Sequence, residues 1–137
     1  MHSSKKSIAT LLRDRPIAYI IKKNNFGFIE KLNDVGVNYV EFERDTMIYS
    51  GSYKVVEYNN NFKVYEKMKM QKVATSIEYN KNKFSRGDIL ISMNQKRSNL
   101  IAELLEPEAP NSYVSFGIIK TSLDKQLPIY RIKNFNN

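Results

Sequence analysis

Imidazole and thiolate groups do most of the proton transfer and metal binding in proteins, and this chain is almost without them: among its 137 residues there is one histidine, His2, and no cysteine. A zinc hydrolase holds its metal with about three protein ligands, usually including histidine, and keeps one position open for water. A single histidine in an N-terminal tail does not supply them. The same count removes Ser-His and Cys-His nucleophile pairs, in which an imidazole must take the proton. Phosphate cradles need glycines at close, fixed spacing, and Gly27, Gly36, Gly51, Gly87 and Gly117 offer no such pair.

Carboxylates are the remaining candidates. Glu103, Glu106 and Glu108 lie close together near a predicted helix end. Paired carboxylates divide acid and base roles when their surroundings push their pKa values apart; the simpler reading is that these three solvate a helix face and the turn after it. Arg86-Gly87-Asp88 has the form of an adhesion tripeptide, but three common residues in a β-turn carry little information. Lys63, Lys67 and Lys69 with Tyr65 would make a basic strand face with an aromatic, as single-stranded nucleic-acid binders use. Lysine on the solvent side of a strand equally guards a sheet edge. Met68 and Met70 read as core filling.

The elements that must position these groups follow from composition and pattern. The chain has the length of one domain, and 42% apolar residues are enough for a core. No apolar run approaches the roughly 18 residues that span a bilayer, and the short run behind the basic N-terminus does not make a signal peptide. A formal charge of +8 invites a nucleic-acid or anionic-surface reading. Lysines that greatly outnumber arginines and come with many Asn, Ile and Tyr are better explained by a biased composition, which leaves net charge as an argument about solubility and association. Residues 1–14 read as a flexible tail or an expression remnant, 15–133 as one domain, and 134–137 as a C-terminal tail.

Pro16 opens a β-rich strand over 16–21. Asn24 or Asn25 offers an N-cap to an amphipathic helix of about three turns, with Phe28, Ile29, Leu32 and Val35 on one stripe and Gly36 as the stop. A strand over 37–42 follows, and a connection of this length favours a parallel pair with a right-handed crossover. A hairpin is predicted between 53–58 and 62–70 around the Asn59-Asn60-Asn61 turn. Val73, Thr75, Ile77 and Tyr79 continue the alternation up to a polar turn at Asn80-Lys81-Asn82-Lys83. A strand over 84–93 would bury Ile89, Leu90 and Ile91. Ser98 or Asn99 can cap a second helix with Leu100, Ile101, Leu104 and Leu105 as its stripe, and Pro107 with Pro110 stops it. Further strands are predicted over 114–119 and 127–132. The fold class is mixed α/β (α+β): a strand-helix-strand unit, antiparallel strands and a second strand-helix segment, with a single layer of helices on a mixed sheet.

In this frame one ordered set of residues resembles a known family. Gly87-Asp88, Gln95, Leu104-Leu105-Glu106-Pro107-Glu108, Pro110-Asn111-Ser112 and Phe116-Gly117 are similar, in order, to the C-terminal non-catalytic region of bacterial M14-family zinc carboxypeptidase-like proteins. Arg15-Pro16-Ile17-Ala18-Tyr19-Ile20, Ile29-Glu30-Lys31-Leu32 and Gly36-Val37 resemble an earlier block of the same region. Two positions depart from the pattern: Lys96 stands where proline is usual, and Phe116-Gly117-Ile118-Ile119 where Trp-Gly-Phe-Phe is usual.

The resemblance implies an accessory domain without catalytic residues or a cofactor of its own. Zinc and its His-x-x-Glu motif would belong to an upstream peptidase domain, the partner of this one, in a secreted or envelope-associated protein. It further implies that Glu106, Glu108, Asn111, Ser112, Tyr113 and Phe116 face that domain. The alternative, drawn from charge, is a small basic binding module for nucleic acid or polyanions.

Overall fold

A strand can be buried along its whole length only if it has a neighbour on each side and side chains packed above and below. β1 (Ala18–Ile21) is such a strand. The computed structural model describes residues 15–23, 29–59, 72–109, 112–114, 119 and 121–133. After β1 come α1 (Ile29–Asp34), β2 (Val40–Glu41), β3 (Thr46–Asn59), β4 (Lys72–Phe84), β5 (Ile89–Ser92), α2 (Ser98–Leu105) and β6 (Gln126–Ile132). The strands form one open sheet in the order β2-β5-β1-β6-β3-β4, and every neighbouring pair is antiparallel. The fold is α+β and dominated by the sheet.

The mixed sheet with β1 beside the next strand is therefore corrected. β1 pairs with β5 and β6, and β2 pairs with β5. Because both are antiparallel to β5, β1 and β2 do run in the same direction, as a crossover through α1 requires, but β5 lies between them. The reason is in the side chains. Ile89 and Ile91 fit a central position with one face inward, and Leu90 is partly covered on the other, whereas Val40 and Glu41 are both exposed.

Alternation along β1 divides the core in two. Tyr19 and Ile21 point to one face with Tyr53, Val55, Ile89, Ile91, Leu127 and Ile129, and there they meet Ile29 and Leu32 of α1 and Ile101 and Leu105 of α2. Ala18 and Ile20 point to the other face with Phe84, Tyr130 and Ile132. Both helices thus lie on one side, as a single layer.

The helix ends are set locally. Gly36 has φ +81°; its N–H donates to the Asn33 carbonyl at 3.1 Å, and that of Val37 donates to the Leu32 carbonyl at 3.1 Å. This is a Schellman end, with Val37 and Leu32 packed in the same core. The predicted start at Asn24 or Asn25, and Phe28, lie outside the described residues. For α2 the N-cap is Arg97 and not Ser98 or Asn99, and no side chain caps the helix. The Ser98 N–H bonds to the Gln95 carbonyl at 3.2 Å, so a preceding turn takes the place of a cap side chain. Pro107 ends α2 as expected: Glu106 before it is extended, with φ −68° and ψ 117°.

Two further expectations change. Asn80-Lys81-Asn82-Lys83 is not a turn; β4 runs through it, paired from Lys72 to Phe84 with β3. The Asn82 side chain donates to Ser50 Oγ at 2.9 Å, which ties the polar stretch into the sheet. The turn instead falls at 85–88, where Gly87 has φ +95°, so the returning strand begins at Ile89. The predicted strand 62–70 lies outside the described residues; the partner of residues 53–58 is the start of β4, with Tyr58 opposite Val73 and Tyr53 opposite Ile77. In the predicted strand 114–119, residues 115–118 lie outside the described residues. Val114 and Ile119 are buried but not in a strand.

Because the Gly36 backbone sits where a Cβ is disfavoured, Gly36→Ala should lower stability by about 1 kcal/mol. Urea unfolding would check this, with a lower midpoint and an unchanged slope as the expected result.

Candidate functional site

Three adjacent strands place three polar side chains on the helical face of the sheet. Tyr19 of β1 stands opposite Arg131 of β6, and Arg131 stands opposite Gly51 of β3, two residues before Tyr53. Above them α2 ends at Leu105, and the extended backbone imposed by Pro107 turns Glu106 down onto the sheet. Its Oε2 accepts hydrogen bonds from the Tyr19 hydroxyl at 2.6 Å and the Tyr53 hydroxyl at 3.0 Å, and lies 3.7 Å from the Arg131 guanidinium. Arg131 is 4% exposed and the Glu106 side chain 19%. An ion pair this deep is offset by desolvation, so the hydroxyl donors matter as much as the opposite charge.

The residues after Glu106 are fastened in turn. Glu108 Oε2 accepts from the Thr75 N–H and the Thr75 hydroxyl, both at 2.7 Å, which pins the turn to β4. The Ser112 hydroxyl donates to the Pro107 carbonyl at 3.1 Å, and the Tyr113 N–H donates to the Leu104 carbonyl at 2.9 Å. Ser112 and Tyr113 are both buried.

The tyrosines feel this environment. Burial, followed by the Glu106 charge, raises the Tyr19 hydroxyl far above the ordinary value of 10.0. Burial and then Glu106 raise Tyr53 in the same direction, with Arg131 opposing. Both remain neutral donors at physiological pH, which is the form the carboxylate needs.

Of the residues assigned by resemblance to a domain interface, Glu106, Glu108, Ser112 and Tyr113 direct their described contacts into the domain. Asn111 and Phe116 lie outside the described residues. Glu103 is exposed on α2, whereas the Glu106 side chain is 19% exposed. Asp88 of the adhesion-like tripeptide is 1% exposed and accepts from the Lys23 and Ser85 N–H groups at 2.8 Å each, so its carboxylate anchors the 85–88 turn. Lys63, Tyr65, Lys67 and Lys69 lie outside the described residues.

In the sequence Tyr19 belongs to the Arg15–Ile20 block and Thr75 to a strand alternation, and neither they nor Tyr53 and Arg131 read as site residues. Arg131 had a readable signal, since it is a lone charge in the otherwise apolar run Leu127 to Ile132. Thr75 and the two tyrosines look like ordinary strand formers. Among the described residues no three His, Cys, Asp or Glu side chains come together as a metal site. Glu106 and Glu108 instead face tyrosines, an arginine and a threonine, a donor set suited to holding carboxylates and unsuited to a cation.

A turn stapled this firmly invites comparison with known chains. "Carboxypeptidase 2" of Trichophyton equinum is 31% identical over 130 residues, covering 91% of this chain. The chain is similar to part of a carboxypeptidase. "Carboxypeptidase 2" of Trichophyton tonsurans is 29% identical over 125 residues, and that of Trichophyton rubrum 30% over 128. This chain spans only 23% of the length of each of these relatives. They are fungal, so the bacterial origin that the resemblance implied is not supported by them. No family model and no solved structure matches.

Two outcomes follow from the geometry. Removing the carboxylate strands a buried guanidinium and two buried hydroxyls, so Glu106→Ala should cost about 3 kcal/mol; Glu106→Gln, which keeps the shape and one acceptor, should cost less. Denaturant midpoints of the two variants would show whether that order holds. The second outcome concerns alkali. A group with a raised folded pKa contributes stability that is complete below its unfolded value and is lost as pH climbs toward the folded one. The fold should therefore be unaffected by Tyr19 and Tyr53 below pH 10.0 and weaken above it. Tyrosinate absorbance is expected to rise in two stages, the second coinciding with loss of the circular dichroism of the sheet.

Proposed function

We propose that this chain is a non-catalytic accessory domain of a carboxypeptidase-like protein of the M14 zinc type, packing against the peptidase domain and orienting it. The observation that carries this reading is the proportion of the match. About nine tenths of this chain aligns with less than a quarter of each carboxypeptidase 2 relative. The remaining length of such a relative has room for the catalytic domain, and this chain has one histidine and no cysteine with which to bind zinc itself.

The stapled turn gives the accessory role a physical basis. A surface that orients a neighbouring domain must hold its shape, and the turn after α2 is held by Glu106, Glu108 and Ser112 from beneath. In this reading Glu106, Glu108, Ser112 and Tyr113 shape the peptidase-facing surface from inside the domain. Asn111 and Phe116 are its candidates for direct contact.

Two measurements test the proposal. Sequencing the gene beyond this segment should find a peptidase reading frame in line with it or beside it; a natural gene that begins at Met1 with no such neighbour would sink the idea. The chain alone, supplied with zinc, should not hydrolyse C-terminal peptide bonds. Activity that persists through repurification would make it an enzyme and overturn the non-catalytic role.

A further inference from the structure

β4 is the last strand of the sheet, and the direction of its backbone groups can be worked out from its neighbour. The Val55 N–H donates to the Lys125 carbonyl at 2.9 Å, and the Val55 carbonyl accepts from the Asp124 N–H at 2.9 Å. Val55 is thus turned away from β4. Its partner across the ladder, Thr75, is turned away from β3 and gives its N–H to Glu108. Backbone groups alternate in direction along an antiparallel ladder, so Ile77, Tyr79, Lys81 and Lys83 also point theirs outward. The Lys83 carbonyl accepts from Lys22 Nζ at 2.6 Å. The other outward groups of this stretch have no partner among the described residues.

The same four residues carry their side chains on the helical face, since they stand opposite Tyr53, Gly51, Tyr49 and Met47. Tyr79 is fixed there. Its ring lies over Gly51, where a Cβ would come within 3.0 Å of it, and stacks on Tyr49 with centroids 5.8 Å apart and an interplanar angle of 22°. Lys81 is exposed. Lys83 meets Asp45 at 3.7 Å, but both are largely exposed, and such a pair exchanges readily for another carboxylate.

We propose that the outer edge of β4 from Ile77 to Lys83 takes an extended acidic peptide as an added strand, with acidic side chains at two alternate positions opposite Lys83 and Lys81 and an apolar one opposite Tyr79. Main-chain bonds supply affinity in this mode, and alternate side chains supply the choice of sequence. Self-pairing with a second copy in the register centred on Lys81 is disfavoured. Antiparallel self-pairing centred on Lys81 sets that lysine against its own copy, between two chains of charge +8. The lysines that guard the edge against self-association are thus the ones that admit an anionic strand. The proposal does not rest on the carboxypeptidase reading.

Fluorescence anisotropy with a labelled peptide, Glu-Thr-Glu-Thr-Phe-Thr, on the full chain at low salt tests it. Binding is expected, several-fold tighter than for the reordered Glu-Glu-Thr-Thr-Phe-Thr, whose acidic side chains fall on opposite faces. N-methylation of the second glutamate, the residue that would exchange both main-chain bonds with Lys81, should abolish it. The double variant K81E/K83E, with folding checked by circular dichroism, should lose about tenfold in affinity. Absence of binding, equal affinity for the reordered peptide, tolerance of the N-methyl group or indifference to the lysine reversal would each overturn the proposal. The peptide variants report on it even if the protein variant fails to fold.

Discussion

One carboxylate joins the two layers of this domain. Glu106 is delivered by a helix that ends because a proline follows, and it lands where three strands bring together two tyrosine hydroxyls and a guanidinium. The strands involved, β1, β6 and β3, are consecutive in the sheet but come from the beginning, end and middle of the chain. Apolar packing of Ile101 and Leu105 holds α2 against the sheet without fixing its angle or register. Directional bonds to a single charged acceptor do fix them, because a misplaced helix would leave Arg131 buried without its counter-charge.

A smaller arrangement of the same kind closes the opposite end of β1. Asp88 accepts from the backbone of Lys23 and Ser85, and Lys22 lies 4.0 Å away with its ammonium over the rings of Phe84 and Tyr130, 4.7 Å and 5.5 Å from their centroids. Each end of the central strand is thus anchored by a carboxylate from a turn. Between the anchors, β1 presents only apolar or tyrosine side chains, so polar groups fix its position and apolar ones supply its burial.

What could be read in the sequence was what depends on near neighbours. Gly36 as a helix stop, Leu104 and Leu105 ahead of Pro107, and the strands around Ala18 and Leu127 all follow from local pattern. Sheet order is not legible, since the apolar run Ile89 to Ile91 suits a central strand without saying which two strands it will separate. The stretch Asn80 to Lys83 reads as a turn because Asn favours turns and Lys is depleted in strands on average, while an edge strand tolerates both wherever its face is wet. Glu106 stands out in the sequence for its company of carboxylates, Glu103 and Glu108. Its partners are 53, 87 and 25 residues away along the chain, beyond any spacing rule.

The placement of β5 between β1 and β2 also bears on when this protein can fold. Within this stretch of chain β1 is made before either of its neighbours: Ala18 waits for Ser92 on one side and for Ile132 on the other. Among the described strands, only the long β3 and β4 pair can form before β5 is made. β1, among the most apolar parts of the molecule, therefore finds its first neighbour only when Ser92 has been made and its second only when Ile132 has. Non-local pairing of this kind slows folding and lengthens the exposure of sticky surface. Of the described strands, a copy still lacking β5 can pair β3 with β4 and leaves β1 an orphan.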